Sequence, residues 1–228
     1  MVFTHLLFTI WNWNLLVSMD KNIIEFRDLS IIHSHQKVLE NFNLTIKEGE
    51  KLLIRGKSGT GKSTLFMCLL GLMRPSGGDV YFENLPVTGN SVSVVRTKVA
   101  YVPQNVDVGR DSVEEFFDTI FSYNAVGFSP SFEKMQRLLE WFELDASILK
   151  KEFKSLSGGE KQRIVLILSL LLERDVFLLD EPTSSLDSSL KSKVVDYFVN
   201  DPSLTVIVIS HDPQWEREGL RFVDIPNI

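Results

Sequence analysis

Short apolar runs separated by polar turns fill the first hundred residues of the chain. Residues 23–26 and 42–46 alternate between apolar and polar positions, which is the pattern of strands with one buried face. Lys51–Arg55 is a mostly apolar run closed by glycine, which favours a buried strand that leads into a loop. The pattern then predicts a helix over residues 65–72 and another short strand at Val99–Val102.

The middle of the chain changes to helical spacing. Two segments between residues 113 and 153 each carry apolar residues on one face, and the sequence NAVGFSPS separates them. A helix over residues 164–172 follows, with buried strands over residues 176–179 and 204–209. Strands that alternate with helices predict a parallel α/β sheet. The helical segment between the two strand-rich halves predicts an inserted helical subdomain at about residues 105–160.

Residues 1–18 form an apolar extension that does not fit this pattern. They lack the positive start and small-residue cleavage site of a secretory signal, and two asparagines interrupt the run of about 20 apolar residues that a membrane span needs. Three interpretations stay open: a misassigned start with Met19 as the first residue, an amphipathic segment on a membrane or partner, or a true span. Residues 19–228 are predicted to form the folded domain.

Charge and cysteine content narrow the function classes. The formal net charge of −6, from 24 basic and 30 acidic residues, argues against a general nucleic-acid binder. The single cysteine, Cys68, cannot form an internal disulfide, which suits a reducing cytosol. No stretch after residue 18 is long and apolar enough to cross a bilayer, so any membrane-spanning part is expected to be another chain.

The sequence GKSGTGKST lies between a predicted strand and a predicted helix, which is the context that a phosphate loop requires. Its glycines let backbone N–H groups curl around phosphate oxygens, and the helix start adds its positive dipole end. Lys62 places a full charge near the β- and γ-phosphates, and the Ser63 hydroxyl can coordinate Mg²⁺. The predicted phosphate-binding residues are Gly56, Lys57, Ser58, Gly59, Thr60, Gly61, Lys62, Ser63 and Thr64.

Two acidic residues end the apolar run VFLLDEP. A buried strand delivers Asp180 and Glu181 at its carboxyl end, where ligands bind in open α/β sheets. Asp180 is predicted to hold Mg²⁺ through its water shell. Glu181 is predicted to polarise the attacking water as a general base.

A second glycine pair occurs about twenty residues earlier, in LSGGEKQR. Ser157 and Glu160 have the spacing of a helix capping box. Ser157, Gly158 and Gly159 also form a donor-rich helix start suited to a phosphate. Because one nucleotide has only one triphosphate end, two such helix starts suggest a composite site made between two copies of the chain.

Six elements in this order resemble an ABC-family ATPase: GKSGTGKST, the glutamine of YVPQ, LSGGEKQR, VFLLDEP, SSLD and SHD. The resemblance extends from about residue 23 to the end, and LSGGE is its most specific part. It implies a P-loop NTPase (RecA-like) core with a parallel sheet, an antiparallel β subdomain and an inserted α-helical subdomain. ATP and Mg²⁺ are the implied cofactors.

The resemblance also implies roles for residues in a head-to-tail pair of chains, either a homodimer or a pair with a homologous ATPase. Ser157 and Gly159 would grip the γ-phosphate held by the partner copy's phosphate loop. Gln104 would touch Mg²⁺ and the attacking water, Asp187 would lie at the interface, and His211 would bond the γ-phosphate. Binding would close the dimer and hydrolysis would reopen it.

Three departures from the family pattern stand out. The family commonly stacks adenine on an aromatic residue where this chain has His33, which weakens the expected preference for ATP over GTP. Leu168 replaces a usual arginine in an unusually apolar helix, which suggests different packing. Only about seventeen residues follow His211, so no appended regulatory domain is expected.

The resemblance therefore predicts the motor subunit of an ABC transporter. It would drive a separate membrane permease as a peripheral protein at the cytoplasmic face of the inner or plasma membrane. The segment LEWFELDASIL before LSGGEKQR resembles the small bacterial metal-export type, with lipoprotein or peptide exporters as the next candidates. The alternatives are a soluble ABC ATPase without transport and a catalytically silent nucleotide-binding module.

Overall fold

The computed structural model describes residues 21–33, 36–106, 109, 111–123 and 126–225. The predictions made for residues 1–18 and for a start at Met19 lie outside this range. No helix among the described residues combines the length and the apolar character that crossing a bilayer requires.

The strands build two sheets, one antiparallel and one parallel. The strands are β1 (Asn22–His33), β2 (Gln36–Lys47), β3 (Lys51–Arg55), β4 (Gly77–Phe82), β5 (Leu85–Pro86), β6 (Val99–Val102), β7 (Val176–Asp180), β8 (Thr205–Ile209) and β9 (Arg221–Asp224). The four-stranded antiparallel sheet has the order β2-β1-β4-β5, and the five-stranded sheet has the order β6-β7-β8-β3-β9 with every neighbouring pair parallel.

The helices pack against both faces of the parallel sheet. Helix α5 (Gly158–Leu171) has every residue from 164 to 171 buried, which explains the lack of a polar face in that stretch. Its Leu168 is part of the core. The helices are α1 (Lys62–Leu69), α2 (Val92–Lys98), α3 (Val113–Ser122), α4 (Phe132–Trp141), α5 (Gly158–Leu171) and α6 (Ser188–Asn200).

Alternate residues of the parallel strands face two separate cores. In β3, Leu53 packs into the core that contains α3 to α6, whereas Leu52 and Ile54 pack into the core shared with α1 and the antiparallel sheet. Strands buried on both faces are continuous apolar runs, as the sequence indicated. The predicted fold class, a P-loop NTPase core with an antiparallel β part and inserted helices, is confirmed.

Some element boundaries differ from those predicted. The helix expected over residues 65–72 begins at Lys62 and ends at Leu69, because the phosphate loop turns directly into it and Gly71 then adopts a positive φ of 63°. The helical pattern between residues 113 and 153 ends in two 3₁₀ turns, Ala146–Lys150 and Phe153–Ser155, rather than a continuous helix.

The sheet register brings the ends of β3 and β7 to the same edge. Ile209 of β8 pairs with Asp180 on one side and with Ile54 on the other. The phosphate loop, which follows β3, and the carboxylate pair at the end of β7 therefore lie at the same edge of the sheet. The two strands are separated by two strand spacings, or about 10 Å.

Candidate functional site

The phosphate loop, residues 56–64, connects β3 to α1 and places the start of α1 at the sheet edge. Gly61 is the N-cap of α1 and has a φ of 88°, in the left-handed region. A Cβ built there would lie 2.8 Å from Val38 Cγ1, so both the backbone conformation and the available space require glycine. The first turn of α1 contains no acidic residue that would compete for an anion.

Lys62 curls back across the loop. Its Nζ donates to the carbonyl oxygens of Gly56 at 2.7 Å and Lys57 at 2.8 Å. Burial lowers the pKa of Lys62, while the nearby charges of Glu181 and Asp180 act in the opposite direction. An ammonium group has three N–H donors, so Lys62 keeps one for an anionic ligand.

Asp180 ends β7 and is 3% exposed. Burial raises the pKa of this carboxyl, and a hydrogen bond from Ser63 and the charge of Lys62 oppose that rise. A buried carboxylate beside a hydroxyl is a fitting donor set for Mg²⁺, which takes oxygen ligands and is completed by phosphates and water. Among the described residues, no group of three or more His, Cys, Asp or Glu side chains could hold a metal by itself.

Glu181 has a positive φ of 49°, which is uncommon for a residue with a side chain and which clusters at functional sites. Its N–H donates to the Ile209 carbonyl at 2.8 Å, which ties the turn to β8. Its Oε2 accepts from Ser210 Oγ at 3.3 Å and from the His211 N–H at 3.5 Å. The His211 Nε2 lies 3.9 Å from Glu181 Oε1, and the imidazole is 60% exposed.

These side chains surround one cleft of about 400 Å³. Gln104 lies in the turn after β6, is exposed, and contributes to the lining of the cleft. The predicted residues that line the cleft are Ser58, Gly59, Gly61, Lys62, Ser63, Thr64, Gln104, Asp180, Glu181 and His211. A larger cavity of about 780 Å³ lies beyond the C-terminal end of α1 and contains none of the predicted side chains.

The cleft also has apolar lining that the sequence did not indicate. Val38 of β2 and Met73, which follows α1, both contribute to it. Neither lies in a recognisable motif, and only the packing of β2 against the phosphate loop brings Val38 there. His33 is the last residue of β1, where it pairs with Gln36, and its role against adenine stays a prediction.

Ser157 and Glu160 form the predicted capping box at the start of α5. Ser157 Oγ accepts from the Glu160 N–H at 3.2 Å, and Glu160 Oε2 accepts from the Ser157 N–H at 2.8 Å. The hydroxyl proton of Ser157 and the N–H groups of Gly158 and Gly159, which precede the first intrahelical bond, remain as donors. None of these three residues lines the cleft of its own chain.

Asp187 lies in the turn that contacts this helix start. Its carboxylate caps α6 by accepting from the N–H groups of Ser189 and Leu190, each at 3.0 Å. The backbone bonds, led by that from Leu190, hold the pKa of Asp187 below its ordinary value. In the same turn, the Ser185 carbonyl oxygen would lie 2.8 Å from a Cβ added at Gly159.

This close approach predicts different effects of two neighbouring substitutions. Gly159→Ala forces its new methyl group against backbone, so we expect it to lower the free energy of unfolding by about 1–3 kcal/mol. Gly158→Ala meets only Ser185 Oγ at 3.8 Å and adds helix propensity, so it should be neutral or stabilising. Urea unfolding of both variants checks this, and equal destabilisation would contradict the contact.

A parallel sheet with a phosphate loop after one strand and a carboxylate pair after another defines a P-loop nucleoside triphosphatase. Comparison with known proteins specifies the class further. The ABC transporter family model matches residues 39–184, more than half of the chain, and the chain belongs to that family. It is therefore an ATP-binding protein of the ABC transporter type, and membership implies ATPase activity.

Individual relatives agree with this assignment. The chain is 35% identical over 193 residues to the "Probable iron export ATP-binding protein FetA" of Escherichia coli (strain K12), covering 83% of this chain and 85% of that one. The dimeric structure of the bacterial ABC transporter cassette MJ0796 is 26% identical, covers 89% of this chain and 94% of that one, and gives a TM-score of 0.76. A post-hydrolysis dimer of the same cassette, bound to ADP and Pi, is 25% identical, covers 90% of this chain and 97% of that one, and also gives 0.76.

Proposed function

We propose that this chain hydrolyses ATP in a site shared by two copies and thereby drives a separate membrane permease. The observation that supports this most is the distribution of the motifs. The phosphate loop, Gln104, Asp180, Glu181 and His211 converge on one cleft, whereas the donors at the start of α5 lie outside it. A second copy packed head to tail would bring its own α5 start to the open side of the cleft, and the related cassette MJ0796 was solved as a dimer.

Within the cleft each side chain has a distinct task. Lys62 and the loop N–H groups bind the β- and γ-phosphates. Glu181 accepts a proton from the attacking water, and His211, which lies beside it, donates to the γ-phosphate. Mg²⁺, when bound, would neutralise charge on the phosphates. The groups placed to hold it are the Ser63 hydroxyl, the Asp180 carboxylate and the Gln104 side chain.

The partner copy would complete the site with the Ser157 hydroxyl and the N–H of Gly159. Asp187 would lie at the interface between the copies, since its turn contacts the start of α5. Closure of the pair requires that ATP bind the closed form more tightly than the open one, and hydrolysis removes that difference.

The membrane partner would sit at the cytoplasmic face of the inner or plasma membrane, with this chain bound peripherally. The likeness to an iron export ATP-binding protein favours an exporter of metal ions as that partner. No nucleic-acid partner is proposed, in keeping with the acidic net charge of −6.

Two measurements on the purified full chain test this function. We expect Mg²⁺-dependent release of phosphate from ATP, and co-purification of a multi-span membrane protein when the chain is isolated from its native membranes. ATP binding without hydrolysis would support the silent nucleotide-binding module instead. Hydrolysis by a chain that purifies from its native cells with no membrane protein would support a soluble ABC ATPase.

A further inference from the structure

The segment after β8, which carries His211, is fastened to the first turns of α6. Lys191 Nζ lies 2.8 Å from Asp212 Oδ2. Two residues further along the segment, Gln214 Nε2 donates to the carbonyl and hydroxyl oxygens of Ser188 at 3.5 and 3.4 Å. The position of this segment therefore depends on α6.

The ion pair between Lys191 and Asp212 is largely shielded from water. The two side chains are 24% and 14% exposed, well below the surface ion pairs elsewhere in the described structure, such as Lys193–Glu143 at 45% and 53%. Burial by itself would raise the pKa of Asp212, but Lys191 and the Gln214 N–H outweigh it and leave that pKa below its ordinary value. Shielded charge-assisted bonds fix geometry more firmly than exposed ones.

The same Asp212 oxygen, Oδ2, also contacts a buried pair of side chains, Thr183 and Trp215. Trp215 Nε1 donates to Thr183 Oγ1 at 3.1 Å, and Thr183 Oγ1 lies 3.5 Å from Asp212 Oδ2. Trp215 and Thr183 are both 0% exposed. The His211 side chain, by contrast, is 60% exposed, so its position depends on its backbone, which the bond from the His211 N–H to Glu181 and the anchored neighbour Asp212 hold.

Helix α6 also leads to the turn that we place at the dimer interface. Its cap is Asp187, and the Lys191 N–H donates to the Asp187 carbonyl at 2.9 Å, so Lys191 lies one helical turn from the cap. A displacement of Asp187 by a second copy would move Lys191 with it, because both belong to the same rigid turn.

We propose that Lys191 is a positioning residue for ATP hydrolysis: through Asp212 it holds His211 beside Glu181, and through α6 it ties His211 to the Asp187 turn. This inference rests on the proposed function, because it assumes that His211 acts on the γ-phosphate. Lys191 itself lies outside the residues that line the cleft. Its loss should therefore slow turnover without weakening nucleotide binding.

Lys191→Met should lower kcat for ATP about tenfold and leave the KM within about twofold, since a small misplacement of a catalytic group affects the chemical step. Lys191→Arg, which keeps the charge and reach, should retain at least about half of the activity. The matched control is Lys193→Met, which removes the same charge from the same helix but contacts Glu143 instead. It should leave kcat unchanged.

The decisive comparison uses His211→Ala as a background. If Lys191 acts through His211, then Lys191→Met should cause no further loss in the His211→Ala chain. A wild-type kcat for Lys191→Met, or a full tenfold additional loss in the His211→Ala chain, would overturn the inference. So would a loss confined to thermal stability, seen as normal kcat per folded chain in Lys191→Met and in a second variant, Asp212→Asn.

These outcomes separate the inference from the function on which it rests. Wild-type turnover in His211→Ala would overturn the proposed role of His211 and, with it, the role of Lys191. Impaired turnover in His211→Ala together with normal turnover in Lys191→Met would overturn only the inference.

Discussion

Glu181→Gln is expected to slow ATP hydrolysis by at least about a hundredfold while ATP still binds, because an amide keeps the shape of the side chain but cannot accept the proton of the attacking water. Glu181 lines the cleft, has a positive φ of 49° and accepts hydrogen bonds from Ser210 and His211. If hydrolysis reopens the closed pair, as proposed, the variant should also accumulate as an ATP-bound dimer.

Phosphate release under single-turnover conditions and sedimentation velocity with and without ATP measure both effects. Glu173→Gln is the matched control, because Glu173 pairs with Lys134 and does not line the cleft. It should have wild-type turnover and no trapped dimer. Unchanged turnover in Glu181→Gln would refute the assignment of the general base.

Lys62→Ala is expected to weaken ATP binding by roughly tenfold to a hundredfold, the cost of one charge-assisted bond to a phosphate. Lys62 is 8% exposed and lies within the loop, where no solvent cation can replace its charge at the same geometry. Gly56 is partly exposed and Lys57 is exposed, and the Lys57 carbonyl also accepts from Thr60 Oγ1, so the fold should survive the loss of the Lys62 side chain.

Equilibrium binding of a fluorescent ATP analogue measures the affinity, and circular dichroism checks the fold. Lys98→Ala removes an equivalent charge that pairs with Glu83 away from the cleft, and it should bind as the wild type does. Equal affinities of Lys62→Ala and the wild type for ATP would contradict the role of the phosphate loop in binding the nucleotide.

The sequence predicted best those elements whose signals are local. β3 and β6 have the predicted bounds, because a buried parallel strand is a short apolar run ended by a turn. The capping box of α5 was also predicted, since Ser157 and Glu160 suffice to define it. The division of the chain into residues 1–18, 19–228 and an insert at about 105–160 stays a prediction.

Elements with weak local signals were not predicted. Helix α6 begins with serines and contains two adjacent valines, which lower its helix propensity, although its buried residues have helical spacing. The sequence predicted only residues 23–26 of strand β1, which is twelve residues long. Register shifts occur along its pairing with β2, and they interrupt the alternation of apolar and polar positions by which a strand is recognised.

The residues of the candidate site also differ in whether a local signal in the sequence predicted them. Motif residues such as Lys62 and Asp180 were predicted because their chemistry requires fixed spacing from a strand end. Val38, Met73 and the pairing of Lys191 with Asp212 depend on tertiary contacts between distant segments, and no spacing in the sequence indicates them. The geometry of the proposed composite site cannot be predicted from one chain, because half of it would belong to a second copy.

A mixing experiment tests the shared site most directly. Lys62→Ala weakens ATP binding by the phosphate loop and Ser157→Arg blocks the start of α5, so at an ATP concentration that the Lys62→Ala loop cannot bind, each variant alone should be nearly inactive. In a mixed dimer, the intact loop of one chain meets the intact helix start of the other, and an equal mixture should regain up to about a quarter of wild-type turnover. If the mixture stays as inactive as its components although mixed dimers form, the site does not lie between two copies.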